Sequence, residues 1–239
     1  MKQTYALLTL CMTATFVLSP AFTRPFSGFR ADQLPIPQIE PPIQPAGYAF
    51  AIWGLIYGWL VVSALYGLIK RGNDAGWDRA RKPLIVSLAV GTPWLAVANA
   101  SAIWATVLIF VMAGTAIAAL MQAPDDDRWL LKTPVAIYAG WLTAASFVSL
   151  GSTAAGYGLL TDAIGWAYIG IIGALIVATA VLMRKPAIPY GLTVIWALIG
   201  IIVANGTQVW MVSALAGKGI LILLAVMATS RPNGRLAPS

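Results

Sequence analysis

The sequence predicts an all-α, polytopic membrane bundle of about eight transmembrane helices, and three observations carry that reading. Hydrophobic residues make up 59% of the 239-residue chain and charged residues 10%, against about 25% charged in soluble globular domains; mean hydropathy is +0.81. Uncharged apolar runs long enough to cross about 30 Å of hydrocarbon recur along the whole length, joined by short polar connections. The basic residues also segregate. Placing the runs alternately puts Lys2, Lys70, Arg71, Arg79, Arg81, Lys82, Arg128, Lys132, Arg184, Lys185, Arg231 and Arg235 on one side and only Arg24 and Arg30 on the other, with Lys218 left inside a span. Positive charge marks the cytoplasmic side, so both termini are expected there.

The first run, Tyr5 to Leu18, follows Lys2 and precedes Ser19-Pro20-Ala21, which has the shape of a signal peptide with a cleavage site as well as of a retained helix. Phe22 to Gln44 holds Pro25, Pro35, Pro37, Pro41 and Pro42, and reads as a long, stiff external loop. From Pro45 the chain runs uncharged to about Leu68. At helical spacing Phe50, Trp53 and Tyr57 share one face, either as bundle core or as a ligand wall. Gly54 and Gly58 form a small-xxx-small strip where another helix can approach. Lys70 to Lys82 is a basic connection. Further spans are expected at about Pro83 to Ala98, Ser101 to Met121, Trp129 to Leu150, Ala163 to Met183, Ile188 to Ala204 and Val209 to Thr229, with Asp162 placed to cap the sixth helix.

The third span contains Gly91-Thr92-Pro93-Trp94, whose proline frees a carbonyl four residues earlier. The fifth aligns Tyr138, Trp141, Ala145 and Ser149 on one face. Trp77, Trp129, Trp166 and Trp210 fall near span ends and read as an interfacial belt, whereas Trp53, Trp94, Trp141 and Trp196 lie deeper. Lys218, between two glycines, is either a counter-charge or a lysine reaching the outer interface. The chain has no histidine and one cysteine, Cys11, so it lacks the commonest general base and any disulfide, zinc cluster or Cys-x-x-Cys pair. No mid-span carboxylate is available for ion coupling. Neither an enzyme nor a nucleic-acid binder is expected. The high pI of 9.8 reflects topology and contact with anionic head groups.

A proline-rich loop leading into Pro45-x-x-x-x-Phe50-x-x-Trp53-x-x-x-Tyr57, together with Tyr138-x-x-Trp141 followed by small residues, resembles the tryptophan-rich sensory protein family (TspO/MBR, the translocator proteins), and most of all its longer bacterial branch. Gly91 and Ser149 stand where members typically carry asparagines, and the tryptophan of the first loop is absent. The resemblance implies a five-helix core over 1–150, with 22–45 as its external loop, three added helices over 151–230, and a short cytoplasmic tail over 231–239. It implies a bacterial inner-membrane protein that binds a flat apolar ligand, a porphyrin or other tetrapyrrole or a sterol-like lipid, for sensing, sequestration or transport, with no required cofactor. The expected ligand-binding residues are Tyr48, Phe50, Trp53, Tyr57, Trp94, Tyr138, Trp141, Ser149 and Lys218. The alternatives are a structural subunit, as a homodimer or in a membrane complex, and an uncoupled small-molecule carrier.

Overall fold

A computed structural model describes residues 3–230; Lys2, Arg231, Arg235 and the expected tail at 231–239 lie outside the described residues. Eight helices run in order: α1 Thr4–Leu18, α2 Ile52–Arg71, α3 Ala75–Ala100, α4 Ala102–Gln122, α5 Thr133–Gly156, α6 Ala163–Arg184, α7 Ile188–Asn205 and α8 Trp210–Thr229. With the short turns that extend α1, α2 and α5, all eight are long and apolar enough to cross a membrane. The chain is a multi-pass membrane bundle.

The fifth helix is its axis. α5 packs against α4 and α2 on one side and α6 and α7 on the other, while α1 lies on α3 and α2, and α8 on α7 and α6. Its sequence explains why. Alanine, glycine, serine and threonine dominate Thr133–Gly156, so neighbouring backbones approach closely, and hydroxyls take the place of charge as glue. Thr143 Oγ1 meets the Tyr190 hydroxyl at 2.9 Å, and Thr106 Oγ1 of α4 meets Ser149 and Thr153 at 2.7 and 2.9 Å. Among the described residues no buried side-chain nitrogen or oxygen lacks a partner, as hydrocarbon demands.

The loop before α2 is folded down rather than splayed. Ile43 and Leu34 are buried, and a Cβ on Gly151 or Gly156 would lie 2.9 Å from Ile43 Cδ1 or 2.7 Å from Leu34 Cδ1, so the glycines of α5 leave the space these side chains fill. Asn205 at the end of α7 donates to the Pro42 carbonyl (2.8 Å), and Gln33 donates to that of Ala98 (2.8 Å). The loop therefore caps the ends of α3, α5 and α7.

Four expectations need correction. The basic connection is largely helical: α3 begins at Ala75, because Asp74 caps it by accepting from Gly76 N (2.8 Å) and Trp77 N (3.1 Å). Arg81 is no free topology signal either. It is 2% exposed, donates to the carbonyls of Gly67 (2.7 Å) and Arg71 (3.0 Å), pairs with Asp78, and lies over the Trp77 ring. Trp77 and Trp166 leave the interfacial belt for the interior, since their indole N–H groups find Asp127 and the Leu159 carbonyl, whereas Trp129 and Trp210 stay exposed. Finally, among the described residues Gly54 and Gly58 pack against no other helix. A Cβ on either would meet nothing within 4 Å. Asp162 does cap α6, accepting from Gly165 N at 2.8 Å.

At the basic end, Asp127 joins α2 to α3. It accepts from Arg71 Nε (2.7 Å) and Trp77 Nε1 (2.8 Å), with the Tyr66 hydroxyl at 3.5 Å. The Arg71 guanidinium, seconded by the indole, holds its carboxyl below the ordinary range.

Candidate functional site

Helical spacing in α2 and α5 directs two aromatic rows at each other near the loop end. Trp53 and Tyr57 stack at 5.3 Å, and Trp141 meets Phe50 edge-on at 5.7 Å and Trp53 at 6.3 Å. Phe16 of α1 closes the row, edge-on to Trp53 (6.0 Å), Tyr57 (5.5 Å) and Tyr138 (5.7 Å). Phe16, Phe50, Trp53, Tyr57 and Trp141 line a cavity of about 320 Å³, at the lower end of the range of roughly 300–1,000 Å³ for small-molecule clefts. Trp94 and Gly91 of α3, Met112 of α4 and Ser149 and Ser152 of α5 complete its wall.

The first half of the loop is the roof. Pro20, Arg24, Pro25, Phe26 and Phe29 lie over the cavity, Phe26 edge-on to Trp94 at 5.3 Å. Few bonds hold the roof: Asn99 Nδ2 donates to the Arg24 carbonyl (3.2 Å) and Gln44 Nε2 to that of Ser27 (3.1 Å). Gly28, at φ 131°, makes the turn that brings Phe29 back inward, and a Cβ there would sit 2.6 Å from Gln44 Oε1. A side chain fits neither the backbone nor the space.

The indole N–H groups separate this site from the rest of the bundle. Trp59, Trp77, Trp94, Trp166 and Trp196 each donate to a backbone carbonyl or to Asp127. Trp104, Trp129 and Trp210 are exposed. Trp53 and Trp141 alone among the less exposed indoles make no hydrogen bond within the described residues, and both line the cavity. An indole N–H at membrane depth calls for an acceptor. The wall also carries one formal charge, Arg24, which makes no ion pair among the described residues.

Of the residues expected from the sequence, Phe50, Trp53, Tyr57, Trp94, Trp141 and Ser149 come together around the cavity. The Ser149 hydroxyl, however, is turned to Thr106. Tyr48, Tyr138 and Lys218 are not in the wall. Tyr48 stands edge-on to Trp196 at 5.4 Å. Tyr138 lies behind Phe16, fully buried, with its hydroxyl 3.0 Å from Ser87 Oγ; since Ser87 donates to the Met112 carbonyl, the tyrosine is the donor. Lys218 sits on the exposed face of an α8 that continues unbroken through Gly217 and Gly219. Arg24, Phe16 and the roof aromatics were missed. Arg24 did carry a signal, as one of only two bases on its side, but no spacing rule ties a loop residue to a helix face.

Among the described residues no group of three or more potential ligands could hold a metal ion. Comparison with curated proteins and with solved structures gave no match. The family model described as TSPO-like protein matches residues 5–229, nearly the whole chain and all eight helices. The chain belongs to the TSPO-like protein family.

Proposed function

We propose that the cavity binds a flat, largely apolar ligand bearing hydrogen-bond acceptors and an anionic edge, a tetrapyrrole such as a porphyrin ahead of a sterol-like lipid, for sensing, sequestration or transport. The observation that carries this reading is the pair of unpaired indole donors, Trp53 and Trp141, in one aromatic cavity beneath a roof that holds a free cation. A planar ring would lie against the indoles while its acceptors meet their N–H groups, and a carboxylate at its rim would reach Arg24. The loop would act as lid, and the basic end would face the cytoplasm, leaving the lid on the opposite side.

A second reading has its own support. Gly54 and Gly58 present an outward strip with nothing against it, the surface a helix of another subunit would use. In that reading the protein is a subunit of a membrane complex.

Titration with protoporphyrin, followed by tryptophan quenching, tests the first reading. Trp53→Phe and Trp141→Phe keep a ring and lose a donor; each should weaken binding about two- to tenfold, the equivalent of one hydrogen bond. Trp53→Ala and Trp141→Ala should each cost roughly tenfold or more, and together less than the sum, because a ligand freed from one ring shifts from the other. Trp129→Ala, outside the wall, should change nothing. Binding indifferent to all four cavity substitutions, with helicity intact by circular dichroism, would leave the complex-subunit reading.

A further inference from the structure

A second cavity, of about 370 Å³, opens at the basic end, far along the bundle from the aromatic one. It lies between the turn that leads into α5 (Arg128, Lys132), the junction of α6 and α7 (Leu182, Lys185, Ile188) and the end of α8 (Met227, Ser230). Its charges do not balance. Lys132 and Lys185, with side chains only 13% and 18% exposed, converge on one carboxylate, Asp125, which is itself 70% exposed. The ammonium of Lys132 is 2.5 Å from Asp125 Oδ1; that of Lys185 is 3.6 Å from Oδ2 and donates to the Ala123 carbonyl at 2.8 Å. Arg128 stands exposed on the rim, with no ion-pair partner among the described residues. Among the described residues the wall thus holds three cations and one anion around a space large enough for a small polar group. The two lysines hold their Asp125 partner below the ordinary carboxylate range, so it contributes its full charge and the surplus stays positive.

The cavity is two-faced. Leu182, Ala187 and Met227 are buried apolar residues on its wall. Lys132 lies in the first turn of the span Arg128–Gly156 and Lys185 directly follows the span Ala163–Arg184, so in a bilayer both would stand near the level of lipid phosphates. A basic pocket between helices at that level suits a phosphate headgroup whose chains continue along apolar side chains.

We propose that this cavity binds a phosphate group between Lys132, Lys185 and Arg128, the shared chemistry of an anionic phospholipid headgroup and of free phosphate. An anion there supplies the charge that Asp125 alone does not. Asp125 competes with it, which gives the proposal a substitution of opposite sign.

The full-length protein would be purified in neutral detergent and its retention of phosphatidylglycerol against phosphatidylcholine measured by native mass spectrometry, with thermal stability as a parallel reading. Wild type should retain phosphatidylglycerol preferentially and melt at a higher temperature in its presence. Loss of that preference by competition with millimolar inorganic phosphate assigns the site to a soluble phosphate, and persistence assigns it to the lipid. Lys185→Gln and Arg128→Gln should each weaken retention by about tenfold, as expected for one charge-assisted contact. Asp125→Asn should strengthen it, which also guards against misreading a poorly folded lysine variant. Arg79→Gln, an exposed base at the same end but outside the cavity, should have no effect. Equal retention of the two lipids by wild type with no response to inorganic phosphate would overturn the proposal. So would an Arg79→Gln loss as large as that of Lys185→Gln, the mark of diffuse charge rather than a site.

Discussion

Gly91 is a helix position of the cavity wall that packing holds to glycine, and a double-mutant cycle with Phe16 tests that. A methyl at Gly91 would stand 2.7 Å from Phe16 Cε2 and 2.8 Å from Met112 Cε, against an optimal carbon separation of about 3.5–4.0 Å. Met112 Cε is the end of a flexible chain and can move. The Phe16 ring cannot withdraw freely, being edge-on to Trp53, Tyr57 and Tyr138 at centroid distances of 5.5–6.0 Å. Overpacking of this kind costs about 1–3 kcal/mol, whereas glycine to alanine in a helix interior gains about 1 kcal/mol. Gly91→Ala should therefore destabilise the wild type by about 0–2 kcal/mol. In a Phe16→Ala background, itself about 3–5 kcal/mol less stable, the obstacle is gone and the helix preference remains, so the same substitution should stabilise by about 1 kcal/mol. The coupling energy is then about 1–3 kcal/mol. Reversible unfolding in mixed dodecyl sulfate micelles, followed by circular dichroism, measures all four proteins. An effect of Gly91→Ala equal in the two backgrounds to within about 0.5 kcal/mol would refute the packing argument.

Asp127→Ala should cost about 1–3 kcal/mol, mostly from orphaning the indole N–H of Trp77, which is 2% exposed; the more exposed Arg71 can turn to water. Because the folded carboxyl titrates below its unfolded value of about 3.9, its stabilisation is complete above that pH and is lost as pH falls through the lower folded value. Melting curves at falling pH should show wild type losing stability in that acid window and Asp127→Ala losing less; parallel curves would remove Asp127 from the clamp. In a Cys11→Ser background, Ala75→Cys should react with a membrane-impermeant maleimide only from the cytoplasmic side and Ser27→Cys only from the opposite side, and the reverse pattern would invert the proposed topology.

The helix count and the aromatic faces were legible because each depends on period or composition alone. Hydropathy marks a span whatever it packs against, and a 3.6-residue period brings Phe50, Trp53 and Tyr57 to one face in any bundle. What composition misjudged were groups whose burial depends on a partner far along the chain. Arg81 is charged, so the sequence places it in water, and only the carbonyls of Gly67 and Arg71 with the Trp77 ring make it an interior residue. Trp77 looks interfacial until Asp127, fifty positions on, takes its N–H. The central place of α5 was written in its small residues, but a helix without charge or glycine motif gives no sign of how many neighbours it has.

The site shows the same division, and each of its departures from the family pattern has its own packing counterpart. Gly91 stands where an asparagine is expected, and the space a side chain would need there is taken by Phe16, from a helix that no motif ties to α3. Ser149 stands in place of a second asparagine, and being short it turns its hydroxyl to Thr106 and serves the α4–α5 seam. Both changes remove polar groups from the wall. What polarity remains comes from the Tyr57 and Ser152 hydroxyls, the Gln44 amide, the indole N–H groups of Trp53 and Trp141, which no acceptor among the described residues satisfies, and from Arg24 in the roof. In the proposed function a ligand would be oriented by its own acceptors against the two indole donors and by its charge against a loop. If so, moving the roof should alter affinity for charged ligands more than for neutral ones. Arg24→Gln should weaken binding of a porphyrin dicarboxylate and leave its dimethyl ester unchanged, as read by quenching titration. An exposed ion pair is worth about 0.2–1 kcal/mol, so the expected loss is about 1.4- to fivefold and should shrink with added salt. An equal effect on acid and ester would show that Arg24 shapes the roof without reading the ligand's charge.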